Sequence, residues 1–305
     1  SMQRLMCRLR RLFEGDHSLA GPVADSSEQY VARLKDELDF HTDYLDVSAL
    51  PDIAGYWANK YVRPWLQELG CEHPDEFAAV SLIESARRCG PVQPVFASLG
   101  AGNCDTEVRI AKMMIDRGMT AFRIECVDIN PSMLERGREL VAKEGLDAHI
   151  VPVLGDFNDW QPQRSYQGIL ANQSLHHVLK LETLFERIAQ ALDEPALFVV
   201  NDMIGRNGHM RWPEALELVS EFWRELPEPY RYNQQLKRLE QEYQNFDCSQ
   251  HGFEGIRAQD ILPLLIDRFH FHVFIAYGNV IDVFVDRGFG HNFNAKGEWD
   301  RDFID

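Results

Sequence analysis

Between Pro94 and Val200 the chain alternates short apolar runs with longer amphipathic stretches, and this alternation restricts its folding more than any other feature. Residues 95–99, 122–127, 149–154, 168–171 and 196–200 have the length and apolar character of buried strands. Residues 106–117, 131–144 and 181–192 have the length and spacing of helices that cover a sheet. One strand and one covering helix in roughly thirty residues is the repeat of a doubly wound α/β layer with parallel strands.

The flanks read differently. Residues 27–90 are helical in pattern, with apolar positions at Tyr30, Leu34 and Leu38 and again at Trp57, Tyr61, Trp65 and Leu66, punctuated by Pro51 and Pro64. Residues 212–247 are polar, helix-prone and too long for a simple loop, which predicts an inserted helical cap over about 209–250. A helix over 258–267 precedes two apolar runs, 270–276 and 280–285, and the short break at Tyr277, Gly278 and Asn279 permits an antiparallel hairpin. The expected organisation is an N-terminal helical lid over 1–90 and a catalytic-type domain over 91–305 that carries the cap.

Charge narrows the partners. Against 48 Asp and Glu the chain sets 31 Lys and Arg, a formal net charge of −17 that repels nucleic-acid phosphates and anionic lipid headgroups. The expectation is a partner that is neither nucleic acid nor a membrane entered by stable insertion, because no run approaches the ~20 apolar residues of a span. Arg4, Arg8, Arg10 and Arg11 interleave with Leu5, Met6, Leu9, Leu12 and Phe13, a pattern shared by surface-binding helices, lid helices and frayed termini. The six cysteines form neither a CxxC pair nor a zinc-spaced cluster, so no metal is expected and a reducing cytoplasm fits. The oligomeric state stays open, with a homodimer allowed.

The chemistry gathers at three strand ends. The first strand runs through Ser98 and Leu99 into Gly100, Ala101 and Gly102, where missing Cβ atoms let backbone turn sharply and approach a nucleotide. The second ends in Asp128 and Ile129, placing a carboxylate where both ribose hydroxyls of an adenosine could reach it. The third ends in Asp156 and Phe157, an acceptor for an adenine amino group and a ring to pack beside it. A dinucleotide site would need a third glycine where Asp105 stands, and that acid would repel a pyrophosphate at the helix start.

These residues, with the segment Ile169-Leu-Ala-Asn172-Gln173-Ser174, resemble the class I S-adenosylmethionine-dependent methyltransferases over about Pro94–Gly205. Asn172-Gln-Ser-Leu-His176-His177-Val178 and Asp260-Ile-Leu-Pro-Leu-Leu265 look like a bacterial branch acting on small molecules, as does the forward segment with Tyr56-Trp57 and Tyr61-Val-Arg-Pro64. The resemblance implies a Rossmann-like seven-stranded sheet with antiparallel terminal strands and S-adenosylmethionine as cofactor. It implies cofactor contacts from Gly100, Ala101, Gly102, Asp128, Ile129, Asp156, Phe157, Asn172, Gln173 and Tyr56. Two positions depart from it: Ser98 stands where an acid precedes the first glycine, and Cys104 where a third glycine is usual. Asn172 or a backbone carbonyl is then left to meet the methionine amino group.

Methyl transfer from a sulfonium is a direct displacement, so the protein mainly aligns the reacting atoms and, for an oxygen or nitrogen acceptor, removes a proton. His176 and His177, just past the fourth strand, are the candidate bases, or else a packed turn. Asn201 and Asp202 could orient an acceptor or simply hydrogen-bond their loop, and Tyr56, Trp57 and Tyr61 could close a lid or fill a core. Tyr61, His251, Glu254 and Arg257 are further candidates for acceptor recognition, the last three against a plain surface loop. The sequence thus supports transfer to O, N or S of a small-molecule acceptor. A protein or polymer methyltransferase and a non-catalytic methyltransferase-like binding protein stay as alternatives.

Overall fold

The computed structural model describes residues 27–43, 50–91, 93–250 and 252–305. The basic segment around Arg4–Phe13 and the candidate His251 lie outside the described residues. The described residues divide into two compact units, the first within 27–43, 73–209 and 248–273, the second within 50–72, 210–247 and 274–305.

The first unit is built on five parallel strands, β1 (Val95–Leu99), β2 (Arg123–Asp128), β3 (Ile150–Leu154), β4 (Ile169–Asn172) and β5 (Phe198–Asn201), in the order β3-β2-β1-β4-β5. Its helices are α1 (Ser27–Asp43), α2 (Pro74–Cys89), α3 (Asp105–Asp116), α4 (Pro131–Lys143), α5 (Leu181–Ala191) and α6 (Ala258–Arg268). Local chemistry sets their starts. The His73 ring accepts the Asp75 N–H ahead of Pro74, and the Asn130 side chain accepts the Ser132 and Met133 N–H groups around Pro131.

Alternation along the strands feeds two cores. Phe96, Ile124, Cys126, Ile150 and Leu170 pack with Leu82 of α2, Ile110 and Met114 of α3 and Val141 of α4. Ala97, Leu99, Val127, Ile169 and Ala171 face the other way, onto Leu184, Phe185 and Ile188 of α5 and Ile261 and Leu265 of α6. This is the Rossmann-like doubly wound layer that the periodicity predicts. The order turns back between β1 and β4, which opens a crevice at the carboxyl ends of those strands.

The antiparallel terminal strands are not there, and the sheet has five strands among the described residues where seven were expected. Phe269 and Phe271 pack on the core beneath α5, but residues 270–279 join no ladder. Gly278 and Asn279 take left-handed backbone, and the Asp282 carboxylate accepts the Asn279 N–H at 3.0 Å, starting a helical turn over Asp282–Val285. Val283, Phe284 and Val285 are all buried in succession, which a strand with one covered face cannot achieve.

The second unit has a core of its own. Ile53 from Asp52–Trp57, Val219 and Trp223 from Pro213–Glu225, and Phe284, Phe289, Phe293 and Ile304 form one buried cluster dense in aromatic rings. The expected cap thus contributes the helix Pro213–Glu225 and a two-stranded ribbon, Tyr232–Asn233 with Arg238–Leu239.

Candidate functional site

At the end of β1 the backbone turns on Gly100, whose φ of +73° is left-handed, and a Cβ there would collide with the side chain of Ser174 at the end of β4. The N–H groups of Gly100 and Ala101 donate to the Val127 carbonyl oxygen at 2.8 and 3.1 Å, tying the turn to β2. Gly102 donates its N–H to one Asp128 oxygen at 2.8 Å, and the other accepts the Asn130 N–H at 2.8 Å, which fixes the carboxylate and leaves Ile129 between them. Among the described residues the buried Ser174 hydroxyl has no hydrogen-bond partner, although it lies against the glycine turn.

The end of β3 supplies Asp156, one oxygen accepting the Asn158 N–H at 2.8 Å and the other the hydroxyl of Tyr30 from α1. Burial, and then this bond to Asp156, push the Tyr30 phenol well above its ordinary range, so it stays a donor. Phe157 approaches Gly100 from the same side. Asn172 accepts from the Asn201 side chain at 2.9 Å, and the Gln173 N–H donates to the Asn201 carbonyl at 2.8 Å, locking β4 to β5 at their ends.

Where the resemblance would place an acid before the first glycine, the structure offers a different pair. Ser98 donates its hydroxyl to Glu107 of α3 at 2.6 Å, in a pocket shared with Cys104 and Cys126. Burial pushes the Glu107 carboxyl up to about 7, only partly offset by the Ser98 hydrogen bond.

Beyond Ser174 a second group of polar side chains converges. Asp202, its side chain wholly buried, accepts the N–H groups of Ser174 and Leu175 at 3.0 and 2.6 Å, the Met203 N–H at 2.7 Å and Nδ1 of His176 at 2.6 Å. Nε2 of His176 faces Oε1 of Glu254 at 3.5 Å, and Nε2 of His209 reaches the same oxygen at 2.7 Å. His177 lies between Glu254, 3.5 Å from its Nε2, and Glu37 of α1, 2.9 Å from its Nδ1. Close approach of two loops allows this. Gly208 donates its N–H to the Gly255 carbonyl at 2.8 Å, and Gly255 adopts a left-handed φ of +63° with no Cβ to meet His209.

These charges tune one another. Burial, and then the neighbouring His177, lower the His176 pKa against the pull of Asp202. Burial acts downward on His177 too, but the Glu37 ion pair and the charges of Glu254 and Asp202 outweigh it and raise the ring to about 9. For Glu254, burial acts upward and is overcome by the His209 hydrogen bond and the imidazoles around it, bringing the carboxyl to about 2.

The first unit therefore gathers Gly100, Ala101, Gly102, Asp128, Ile129, Asp156, Phe157, Asn172, Gln173, His176, His177, Asn201 and Asp202 at or just past the carboxyl ends of its strands, with Glu254 brought to His176 and His177 from a later loop. Tyr56 and Tyr61 belong to the second unit, where both hydroxyls bond the Asp305 carboxylate, at 2.9 and 3.0 Å. Arg257 is buried and committed to Glu182, Asp260 and the Leu179 carbonyl, at 2.7 to 2.9 Å, which makes it a clamp within the fold. Sequence reasoning gave no site role to Tyr30, Glu37, Ser174 or His209, although Tyr30 stood in a helical pattern and Ser174 closed the motif segment. Tyr30 and Glu37 are seven residues apart, the spacing of one helix face, which is the one sequence signal that could have joined them.

Comparison with known proteins locates the same region. Residues 97–194 match the family described as Methyltransferase domain. No curated protein matches the chain. Among solved structures the [4+2]-cyclase SpnF is similar at 17% identity, covering 64% of this chain and 66% of that chain with a TM-score of 0.40. A DhpI–SAH complex is similar at 17% identity over 57% of this chain and 71% of that chain, with a TM-score of 0.34. An S-adenosylmethionine-dependent methyltransferase from Mesorhizobium loti is similar at 22% identity over 40% of this chain and 53% of that chain, with a TM-score of 0.32. The chain spans about half the length of the solved structures it matches first.

Proposed function

We propose that this chain, whose residues 97–194 match the family described as Methyltransferase domain, moves a methyl group from S-adenosylmethionine to a heteroatom (O, N or S) of a small-molecule acceptor by direct displacement. The residues present fit the cofactor. The Gly100 turn has left-handed backbone suited to glycine and packs directly against Ser174, whose orphaned hydroxyl suits a polar ligand group. Gly100, Ala101, Gly102, Asp128, Asn172, Ser174 and the Asp156–Phe157 corner are the residues that would hold it. When bound, the cofactor supplies an activated methyl group on a sulfonium, a leaving group that needs no covalent help from the protein.

What the chain itself contributes is placement and handling of a proton. Asp202 grips the backbone at Ser174 and Leu175 and the ring of His176 together, so the crevice and the polar group beyond it are held as one piece. An acceptor hydroxyl, amine or thiol delivered to the His176, His209 and Glu254 atoms finds a place to shed its proton. The observation that carries this reading is the His176–Asp202 pair two residues past Ser174, buried at 5% and 0% side-chain exposure. Groups buried as deeply as His176 and Asp202 favour an acceptor small enough to reach them past the partly exposed Glu254, and the net charge of −17 disfavours polyanions. Among the described residues no helix is long and apolar enough to cross a membrane.

The test is transfer of an isotope-labelled methyl group from S-adenosylmethionine into a cell extract, with small metabolites separated from macromolecules. Enzyme-dependent label in the metabolite fraction is expected. Label confined to macromolecules would overturn the small-molecule acceptor.

A further inference from the structure

We propose that His176, His209 and Glu254 form a binding site for one divalent transition-metal ion of the zinc class, with a position left open for the acceptor heteroatom. The inference rests on the methyltransferase reading for the role of that open position, and on geometry alone for the ion.

Three observations point to it. First, Asp202 accepts from Ser174, Leu175 and Met203 as well as from His176, so Nδ1 of His176 carries the hydrogen and Nε2 presents its lone pair. That lone pair faces a carboxylate oxygen of Glu254 at 3.5 Å, an approach of two electron-rich atoms that a cation between them would relieve. Second, Nε2 of His209 comes to the same oxygen at 2.7 Å, and one ligand atom from each of the three residues lies within 4.8 Å of the other two. An ion at about 2.0–2.2 Å from each ligand needs ligand atoms roughly 3.3 Å apart, so His176 already stands near the required distance and His209 must withdraw by about half an ångström. Third, Asp202 on Nδ1 of His176 is the partner that orients metal-binding imidazoles and makes them better donors.

Two imidazoles and a carboxylate make a three-ligand set, the number found where a catalytic ion keeps an open place. Glu254 keeps 38% of its side chain exposed, so the place can be reached. An acceptor hydroxyl or thiol bound there loses its proton to solvent more readily, because the ion stabilises the anion. The acceptor lone pair then forms the bond to the methyl carbon while the carbon–sulfur bond breaks with its electron pair going to sulfur. No oxidant or reductant is required. This narrows the substrate class to acceptors whose nucleophile is a hydroxyl or a thiol.

The test uses the full chain, freed of metal by chelation and then dialysed against Zn2+ alone, with bound metal counted by mass spectrometry. One ion per chain is expected, weakened at least about 10-fold in His209→Ala and in Glu254→Gln, and unchanged in His291→Ala, which removes an exposed histidine of the second unit. Co2+ in place of Zn2+ should give a ligand-field absorption band in the wild type that both site variants lose. No stoichiometric Zn2+ binding, or binding undiminished in both site variants, would overturn the site. S-adenosylhomocysteine titrated into the same samples separates the two readings: its binding without metal binding overturns the ion alone, and metal binding without it overturns the methyltransferase reading. Circular dichroism of His209→Ala, whose ring is mostly buried, shows whether a loss reflects the site or the fold.

Discussion

Glu107 and Glu254 belong to the same unit, and each stands with two other side chains that could bind a metal, yet their surroundings drive them in opposite directions. Glu107 is 2% exposed, receives one hydroxyl from Ser98, shares its pocket with two thiols, and is pushed up to about 7 by burial. Glu254 is partly exposed, faces three imidazoles, and is drawn down to about 2 against its own burial. The lesson is that a carboxylate's role follows from what compensates it. A sealed acid with one neutral partner holds a turn in place, whereas an open acid ringed by imidazoles stays ionised and can take a cationic ligand.

The comparison can be broken most sharply by removing members of the open cluster. His176→Ala and Asp202→Ala should each lower methyl transfer by about 100-fold or more, the scale of a lost proton-handling group, while Glu107→Gln should stay within about threefold of wild type. Initial rates with labelled cofactor measure both. A loss in Glu107→Gln as deep as in His176→Ala would erase the distinction.

Next in size is the pH dependence of stability, which isolates Glu107. Its folded pKa is raised above the unfolded value, so the stability from its protonated form is complete below about pH 4.5 and is lost as pH rises through about 7. Glu107→Gln has no such charge to bury. The variant should gain on wild type between pH 4.5 and 7 by roughly 3 kcal/mol, read from denaturant midpoints at pH 5 and 8. Parallel profiles would mean that the pocket is not dry.

Gly100→Ala forces a left-handed φ on a side chain and drives it into Ser174. We expect a loss of about 2 kcal/mol or more in thermal unfolding. The smallest effect should come from Tyr30→Phe, which removes the bond from α1 to Asp156 and should cost about 1 kcal/mol. A larger loss there would show that α1 matters to the open cluster beyond this one bond.

Much of this was legible in the sequence, and the boundary of what was not has physical causes. The strands and helices from Val95 to Asn201 follow from period and length, because both faces of the sheet are covered and every strand must be apolar. The Gly100 turn, Asp128 and Asp156 follow from spacing, since parallel strands bring successive carboxyl ends to one edge. The residues at 280–285 misled because a short apolar run fits a strand or a buried helical turn equally well, and the decision rests with Asp282 holding Asn279. His176 and Asp202 could be named, but not their contact, which depends on β4 lying beside β5. Glu254 and His209 meet through two glycine loops 45 residues apart in the chain, a proximity that no local pattern encodes.

The central claim is that the Gly100 turn and the carboxylate behind it hold the methyl donor. The most direct measurement is calorimetric titration of S-adenosylhomocysteine into the wild-type chain and into Asp128→Ala. One site per chain in the wild type, weakened at least about 10-fold by loss of the charge-assisted contacts in Asp128→Ala, is the predicted result. No binding to the wild type, or binding unaffected by Asp128→Ala, would contradict it.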